Sequence, residues 1–209
     1  MATIQWYFDF ISPYAYLQSA RLDALAEDRE IEPVPVLFAG LLNHWGQKGP
    51  AEVAPKKVFT FRQCLWRARR DGIPFRAPPM HPFNPLRALR LSIALGNDLA
   101  AVRAIFRAIW VDGHLPDDPD GWAAMQAALG ISDGDARVSD PAVKAELANN
   151  GEAAVAAGVF GVPTCRVGAE LFWGDDCLEM VRDYLDDPGM FENEEMRRIH
   201  GLKASAERR

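Results

Sequence analysis

Residues 4–22, IQWYFDFISPYAYLQSARL, carry an apolar run through Ser12-Pro13 into a second segment with a different period. TIQWYFDF (3–10) is rich in β-branched and aromatic side chains, which suit a half-buried or central strand. Ser12 has the chemistry of an N-cap and Pro13 the fixed φ of a first helical position; Leu17, Ala20, Leu22 and Leu25 then give a helical apolar face. The short apolar segment EPVPVLFAG (32–40) predicts a second strand, its prolines tolerated at an edge or a start. The chain therefore opens as strand, helix, strand.

From about residue 41 to 155 the pattern is helical. APKKVFTFRQCLWRARRDG, NPLRALRLSIALGNDLAAVRAIFRAIW, GWAAMQAALG and DPAVKAELANNGEAAVAAG carry helical apolar spacing. Asn84-Pro85 and Asp140-Pro141 repeat the cap-then-proline entry, and Gly72, Gly96 and Gly130 stand where C-terminal glycines belong. The proline-dense stretch RAPPMHPFNP (76–85) reads as an ordered crossing between helices. After residue 158 strands return: PTCRVG and AELFW form a hairpin turning at Gly168, and DDCLEMVRDYL closes as an amphipathic helix. The tail ending KASAERR is expected to fray. This order is that of an α/β thioredoxin-like fold, residues 1–40 and 156–209, with an all-helical domain, 41–155, inserted in its middle.

The bulk numbers narrow the function classes. A chain of 209 residues that is 49% hydrophobic can bury roughly 70% of its unfolded surface around one core. A net charge of −6 offers no basic field to nucleic acid or anionic lipid. There is no long apolar span and no signal-like N-terminus, so a cytoplasmic protein without membrane or nucleic-acid partners is expected. Cys64, Cys165 and Cys177 match neither a metal spacing nor C-x-x-C, and His44, His81, His114 and His200 are scattered; no metal is expected.

GVFGVPT (158–164) stands just before the hairpin. In a thioredoxin-like fold this loop carries a cis proline facing the first helix, and the residue before it can pair through its backbone with a peptide-like ligand. Pro163 is expected cis, with Val162 offering main-chain bonds.

FDFISPYAYL, LLNHWGQKGPAEVAPKK, GVFGVPT and ELFWGDD, in that order, resemble the 2-hydroxychromene-2-carboxylate isomerase and kappa-class glutathione transferase family, a branch of the DsbA-like thioredoxin fold. Where disulfide oxidoreductases of this fold begin the helix with C-x-x-C, this chain reads Ser12-Pro13-Tyr14-Ala15, which disfavours dithiol exchange. The resemblance implies a thiol borrowed from glutathione and held by Ser12. Lowering a thiol from about 8.5 to about 7 takes roughly 2 kcal/mol. A helix N-terminus supplies about 0.3–2 kcal/mol and a hydroxyl bond to a charged acceptor about 1.5–3. Together they suffice; the competing reading is a serine that only caps its own helix.

The resemblance further implies that Lys56, after Pro55 and three residues before Phe59, binds a glutathione carboxylate, with Lys57 its competitor and a solvated lysine the alternative. Gln47 stands where relatives often have asparagine, and Pro13 and Tyr14 complete the first-turn contacts. Asp175 and Asp176 would meet the γ-glutamyl end, although carboxylates there also suit the helix start, and Asp176 with Glu179 resembles a capping box. Cys177 departs from the arginine of many relatives, which puts the cofactor in doubt more than the fold. Buried thiols acting as small apolar residues are the default reading of Cys64 and Cys165, with an oxidative role for Cys165 the alternative.

Phe38, His44, Trp45, Phe83 and Trp110 are candidates for an aromatic substrate pocket, with core positions the competing reading. The family expectation is a homodimeric, glutathione-dependent isomerase of an aromatic hydroxy-keto acid or its cyclic hemiketal. A kappa-like transferase or peroxidase, or a non-catalytic glutathione-binding module, is the alternative.

Overall fold

The computed structural model describes residues 3–25 and 29–206; the last three residues of the KASAERR tail lie outside the described residues, and 202–206 form no helix or strand. Strand β1 (Thr3–Phe8) runs parallel to β2 (Glu30–Pro35) and antiparallel to β3 (Thr164–Val167), which pairs antiparallel with β4 (Glu170–Trp173). The sheet order is β2-β1-β3-β4, so the aromatic strand is central, as its composition requires.

The second strand differs from expectation. It starts at Glu30 and stops at Pro35, and Phe38–Trp45 is a helix, α2. Pro33 and Pro35 sit on an edge strand, where a missing N–H costs no ladder bond on the open side. Beyond them the Phe38 N–H is taken by the Asp9 carboxylate at 2.8 Å, which turns the chain into the helix.

Helix α1 (Pro13–Ser19) is also shorter than its apolar face suggested: Ala20 is exposed, and Leu22 and Leu25 belong to a separate 3-10 turn. Between β2 and β3 come α2, α3 (Ala54–Asp71), α4 (Leu86–Ala94), α5 (Leu99–Arg107), α6 (Pro119–Ala128), α7 (Gly134–Ser139) and α8 (Pro141–Ala156). The long stretch 84–110 breaks at Gly96 (φ +73°) and Asn97 (φ +53°), after which the Asp98 side chain caps α5. Helix α7 was not anticipated, nor was α10 (Glu194–His200), which follows α9 (Leu178–Asp186). The capping box expected at Asp176 and Glu179 does not form, because α9 begins at Leu178 with Cys177 as its unbonded N-cap.

The core is aromatic. Trp6 stacks on Phe8 at 4.6 Å, and Phe10 packs on Phe106 of α5 at 4.6 Å, so the central strand and the helices share one apolar interior. Two polar struts cross it. The Trp110 indole N–H donates to the Phe10 carbonyl at 2.9 Å, and that of Trp6 to the Gln18 Oε1 at 2.7 Å. Gln18, fully buried on α1, also donates from Nε2 to the Gly174 carbonyl at 2.8 Å, tying α1 to the turn after β4. Among the described residues no helix is long and apolar enough to cross a membrane.

Replacing Gln18 by Met keeps the length of the side chain and removes its bonds to Trp6, Gly174 and Cys177, stranding the buried Trp6 indole N–H at about 1–3 kcal/mol, while the half-buried Gly174 carbonyl keeps the Cys177 N–H at 3.4 Å. Urea unfolding of Gln18→Met should show a loss of about 1–3 kcal/mol. A loss under about 1 kcal/mol would show that the strut braces nothing.

Candidate functional site

Strand β1 delivers the chain to α1 through Asp9, Phe10 and Ile11. Asp9 is 1% exposed; its Oδ1 accepts the Ile11 N–H at 3.0 Å, its Oδ2 the Phe38 N–H, and its carbonyl the Ser12 N–H at 3.0 Å. One residue thus fixes the approach to α1 against the start of α2. Burial pushes the Asp9 carboxyl up to about 7, against the opposing pull of the backbone N–H groups. His81 braces the same loop: its Nε2 lies 2.9 Å from the Ile11 carbonyl, which as an acceptor requires the proton on Nε2, and burial lowers its pKa.

Ser12 does cap its helix, its Oγ accepting the Ala15 N–H at 3.2 Å. Capping uses a lone pair and leaves the proton free, and the hydroxyl directs it at the Val162 carbonyl at 3.5 Å, the long limit of a hydrogen bond. Pro13 has no N–H, so the Tyr14 N–H is the remaining first-turn donor, and among the described residues nothing accepts it. The Tyr14 hydroxyl turns away to Gln63 at 2.6 Å.

Opposite Ser12 stands the loop before β3. The Val162-Pro163 bond is cis, and the Val162 N–H has no partner among the described residues. Gly161 lets the Trp173 indole lie across the loop: a Cβ there would stand 2.6 Å from its Nε1, and the ring would have to shift. Trp173 is 56% exposed and packs on Phe160 at 5.3 Å, and the Trp45 Nε1 donates to the Val159 carbonyl at 2.9 Å. An aromatic rim therefore surrounds the loop. Of the aromatic candidates read from the sequence only Trp45 joins it: Phe83 and Trp110 are core, Phe38 packs beside Tyr7 and Val36, and His44 lines a separate cavity of about 470 Å³ between α2, α4 and α8.

Helix α3 forms the third wall. Lys56, Thr60, Gln63 and Arg67 follow one another at helical spacing on one face. The Gln63 Oε1 accepts the Tyr14 hydroxyl proton, and Arg67 reaches the turn after β4. Lys56 is exposed and unpaired among the described residues, whereas Lys57 donates to the His81 carbonyl, which removes the competitor. Gln47 is exposed, its backbone N–H bonded to Leu42 O at 2.9 Å, with no side-chain contact to these groups.

The turn after β4 corrects the expectation for Asp175. Its carboxylate is buried, one oxygen held by Arg21 and the other by Arg67, so it does not reach the surface to meet an ammonium group. Asp176 is open, 73% exposed in its side chain, with Arg67 Nη2 at 3.4 Å. Cys177 points inward, 4% exposed, so this position holds no group at the surface; the guanidinium at this corner comes from Arg67. Asp9, His81, Arg67 and Trp173 escaped the sequence reading. An acid inside an apolar strand and a tryptophan just before Gly-Asp-Asp were the available signals for two of them.

Residues 3–186 match the DSBA-like thioredoxin domain family. The chain is 33% identical over 197 residues to a 2-hydroxychromene-2-carboxylate isomerase of Sphingobium xenophagum, covering 88% of this chain and 98% of that protein. It is 27% identical over 210 residues to glutathione S-transferase kappa 2 of Caenorhabditis elegans, covering 88% and 92%. A solved 2-hydroxychromene-2-carboxylate isomerase superposes with a TM-score of 0.76 at 26% identity, over 97% of this chain and 100% of the other.

The buried Asp9 sets a pH signature. Its carboxyl titrates near 4 when unfolded and at about 7 when folded, so between those values only the folded state holds the proton. Its contribution is complete below pH about 4 and is lost as the pH rises to about 7, a fall of about 4 kcal/mol at the most. The unfolding free energy of the wild type minus that of Asp9→Asn should decline by this order across the window. A difference that is flat or rises with pH refutes it.

Proposed function

Because the chain belongs to the DsbA-like family that includes 2-hydroxychromene-2-carboxylate isomerases and kappa-class glutathione transferases, we propose that it is a glutathione-dependent isomerase. Its substrate is an aromatic hydroxy-keto acid or the cyclic hemiketal of one. One observation carries this reading: the Ser12 hydroxyl, at the tip of a helix whose Tyr14 N–H is unpartnered among the described residues, stands 3.5 Å from the carbonyl of Val162, beside a cis proline, where Ser12 takes the place of a thiol.

The groups fit a tripeptide. Lys56 and Arg67 are about 16 Å apart along α3 at ~1.5 Å per residue, and an extended tripeptide spans about 10–11 Å before the lysine stem adds its reach. Lys56 takes the glycine carboxylate and Asp176 the ammonium of the γ-glutamyl end, while Val162 pairs with the cysteine backbone like a strand. Asp175 keeps Arg67 in place beside Asp176. Pro13, Tyr14 and Pro163 line the sulfur, and Gln47 closes the glycine end from the loop after α2.

Glutathione when bound supplies a thiolate that adds reversibly to the conjugated substrate and leaves after bond rotation or ring opening. Ser12 donates its proton to that sulfur in place of the Val162 carbonyl. With the Tyr14 N–H and the helix dipole it provides the roughly 2 kcal/mol that holds a thiol ionised near neutrality. Trp173, Phe160 and Trp45 present flat apolar faces to an aromatic substrate. The glutathione seat draws on both parts of the chain, Ser12, Val162, Pro163 and Asp176 from 1–40 and 156–209 and Gln47 and Lys56 from 41–155. Conjugation of glutathione to an electrophile uses the same seat, a second reading favoured by the kappa-class relative.

Titration calorimetry and ultraviolet thiolate absorbance test the proposal together. Ser12→Ala should abolish the thiolate signal at pH 7 while affinity falls less than about tenfold; Lys56→Ala should weaken affinity about tenfold and keep the signal. The absence of any association at millimolar glutathione, or a thiolate signal indifferent to Ser12, overturns the reading.

A further inference from the structure

The cavity between α2, α4 and α8 shares no lining residue with the groups around Ser12. Its volume, about 470 Å³, falls within the roughly 300–1,000 Å³ of small-molecule sites. Leu37 and Leu41 on the α2 side, Leu86 on α4 and Leu147 on α8 make its walls largely aliphatic.

Two features of the lining are unexplained by the fold. The first is Arg90 of α4, whose Nε is shielded from solvent and has no hydrogen-bond partner among the described residues. Arg87 on the same helix, by contrast, pairs with Asp135 at 2.8 Å. A guanidinium N–H hidden from water and left unmatched is a cost that an entering acceptor removes. Lys144, exposed on α8, adds a second cation to the lining, and Glu152 is its one carboxylate. In a chain of net charge −6, two positive charges against one negative reverse the local sign.

The second feature is a pair of glycines. Gly40 stands in the first turn of α2 and Gly151 inside α8, and neither has a positive φ. A Cβ added at either position would meet nothing within 4 Å. Neither backbone conformation nor crowding therefore calls for glycine, although it is a poorer helix former than alanine. What the two glycines provide is bare helix backbone on two walls of one cavity, which lets a flat body lie close against both.

We propose that this cavity binds a flat, apolar monocarboxylate, its rings between the glycine faces of α2 and α8 and its carboxylate on the Arg90 guanidinium. A planar fork of N–H donors matches a carboxylate with two parallel bonds. The aliphatic walls weigh against a small inorganic anion, and Glu152 weighs against a dianion. The site stands independently of the function proposed above, since none of its residues belongs to the glutathione seat.

Calorimetric titration of the full chain with 1-naphthoate, beside 1-naphthamide, which has the same rings and no charge, tests the proposal. The acid should bind with a Kd below about 1 mM and at least about tenfold more tightly than the amide. Arg90→Met should bring the acid down to the affinity of the amide, a loss of about tenfold or more. Gly151→Leu should abolish binding of both while the midpoint of urea unfolding stays level or rises, because leucine is the better helix former and the position opens on empty space. Should Arg90→Met fail to fold, Gly151→Leu and the comparison of acid with amide decide. Equal affinity for acid and amide, or acid binding untouched by Gly151→Leu, overturns the site. Acid binding lost in Trp173→Ala but kept in Gly151→Leu places the acid at the aromatic rim and overturns it as well. So does the absence of any association at millimolar 1-naphthoate, whether a second copy of the chain covers the cavity or the cavity takes no acid.

Discussion

The burial of α1 on nearly every side sets the terms for the rest of the molecule. Six of its seven residues are buried, so each polar group along it must be matched or leave a cost. Most are matched by distant chain: Gln18 by Trp6 and Gly174, the Tyr16 hydroxyl by the Pro74 carbonyl, the Ser19 carbonyl by Arg103. The unmatched donors gather at one end. They are the Tyr14 N–H and a Ser12 proton stretched toward the Val162 carbonyl at 3.5 Å. Open donors at the start of a helix, together with its dipole, favour a negative group there over a positive one.

The same economy governs the corner at 174–177. A carboxylate as buried as Asp175 needs cations, and Arg21 from beyond α1 and Arg67 from α3 supply them. The pairing is weak evidence for stability, since desolvation offsets much of the attraction. Its effect is positional: it fixes α1, α3 and the turn after β4 relative to one another. Asp176, one residue on, is thereby left pointing outward with a guanidinium at its back.

How much of this the sequence disclosed depends on how local each feature is. The strand running into Ser12-Pro13, the Val-Pro-Thr before a strand and the hairpin at Gly168 are written in neighbouring residues, and the structure has them in place. The end of β2 was misplaced because it depends on Asp9, 29 residues away, accepting the Phe38 N–H. Arg67 was invisible for the same reason: on α3 it is one basic residue among several, and only the approach of the turn 108 residues later gives it a partner. Asp175 and Asp176 are chemically identical in sequence. Which of them faces inward is decided by the twist of the chain after Gly174, whose φ of +107° no short-range pattern announces.

The three native thiols bear on whether the reaction needs an imported one. Burial and the Asp175 charge push Cys64 up to about 12, so it is neutral at any physiological pH, and its side chain is in the core. Cys165 is wholly buried and raised further by its neighbour. Cys177 lies below the ordinary thiol range, but its sulfur is buried and committed to the Phe172 carbonyl and the Gln18 amide. None of the three presents a thiolate beside the Ser12 hydroxyl. In the proposed reading, the donors at the tip of α1 therefore act on a sulfur that arrives with a ligand. The serine's advantage over cysteine is that it gives a proton bond to that sulfur without forming a disulfide with it.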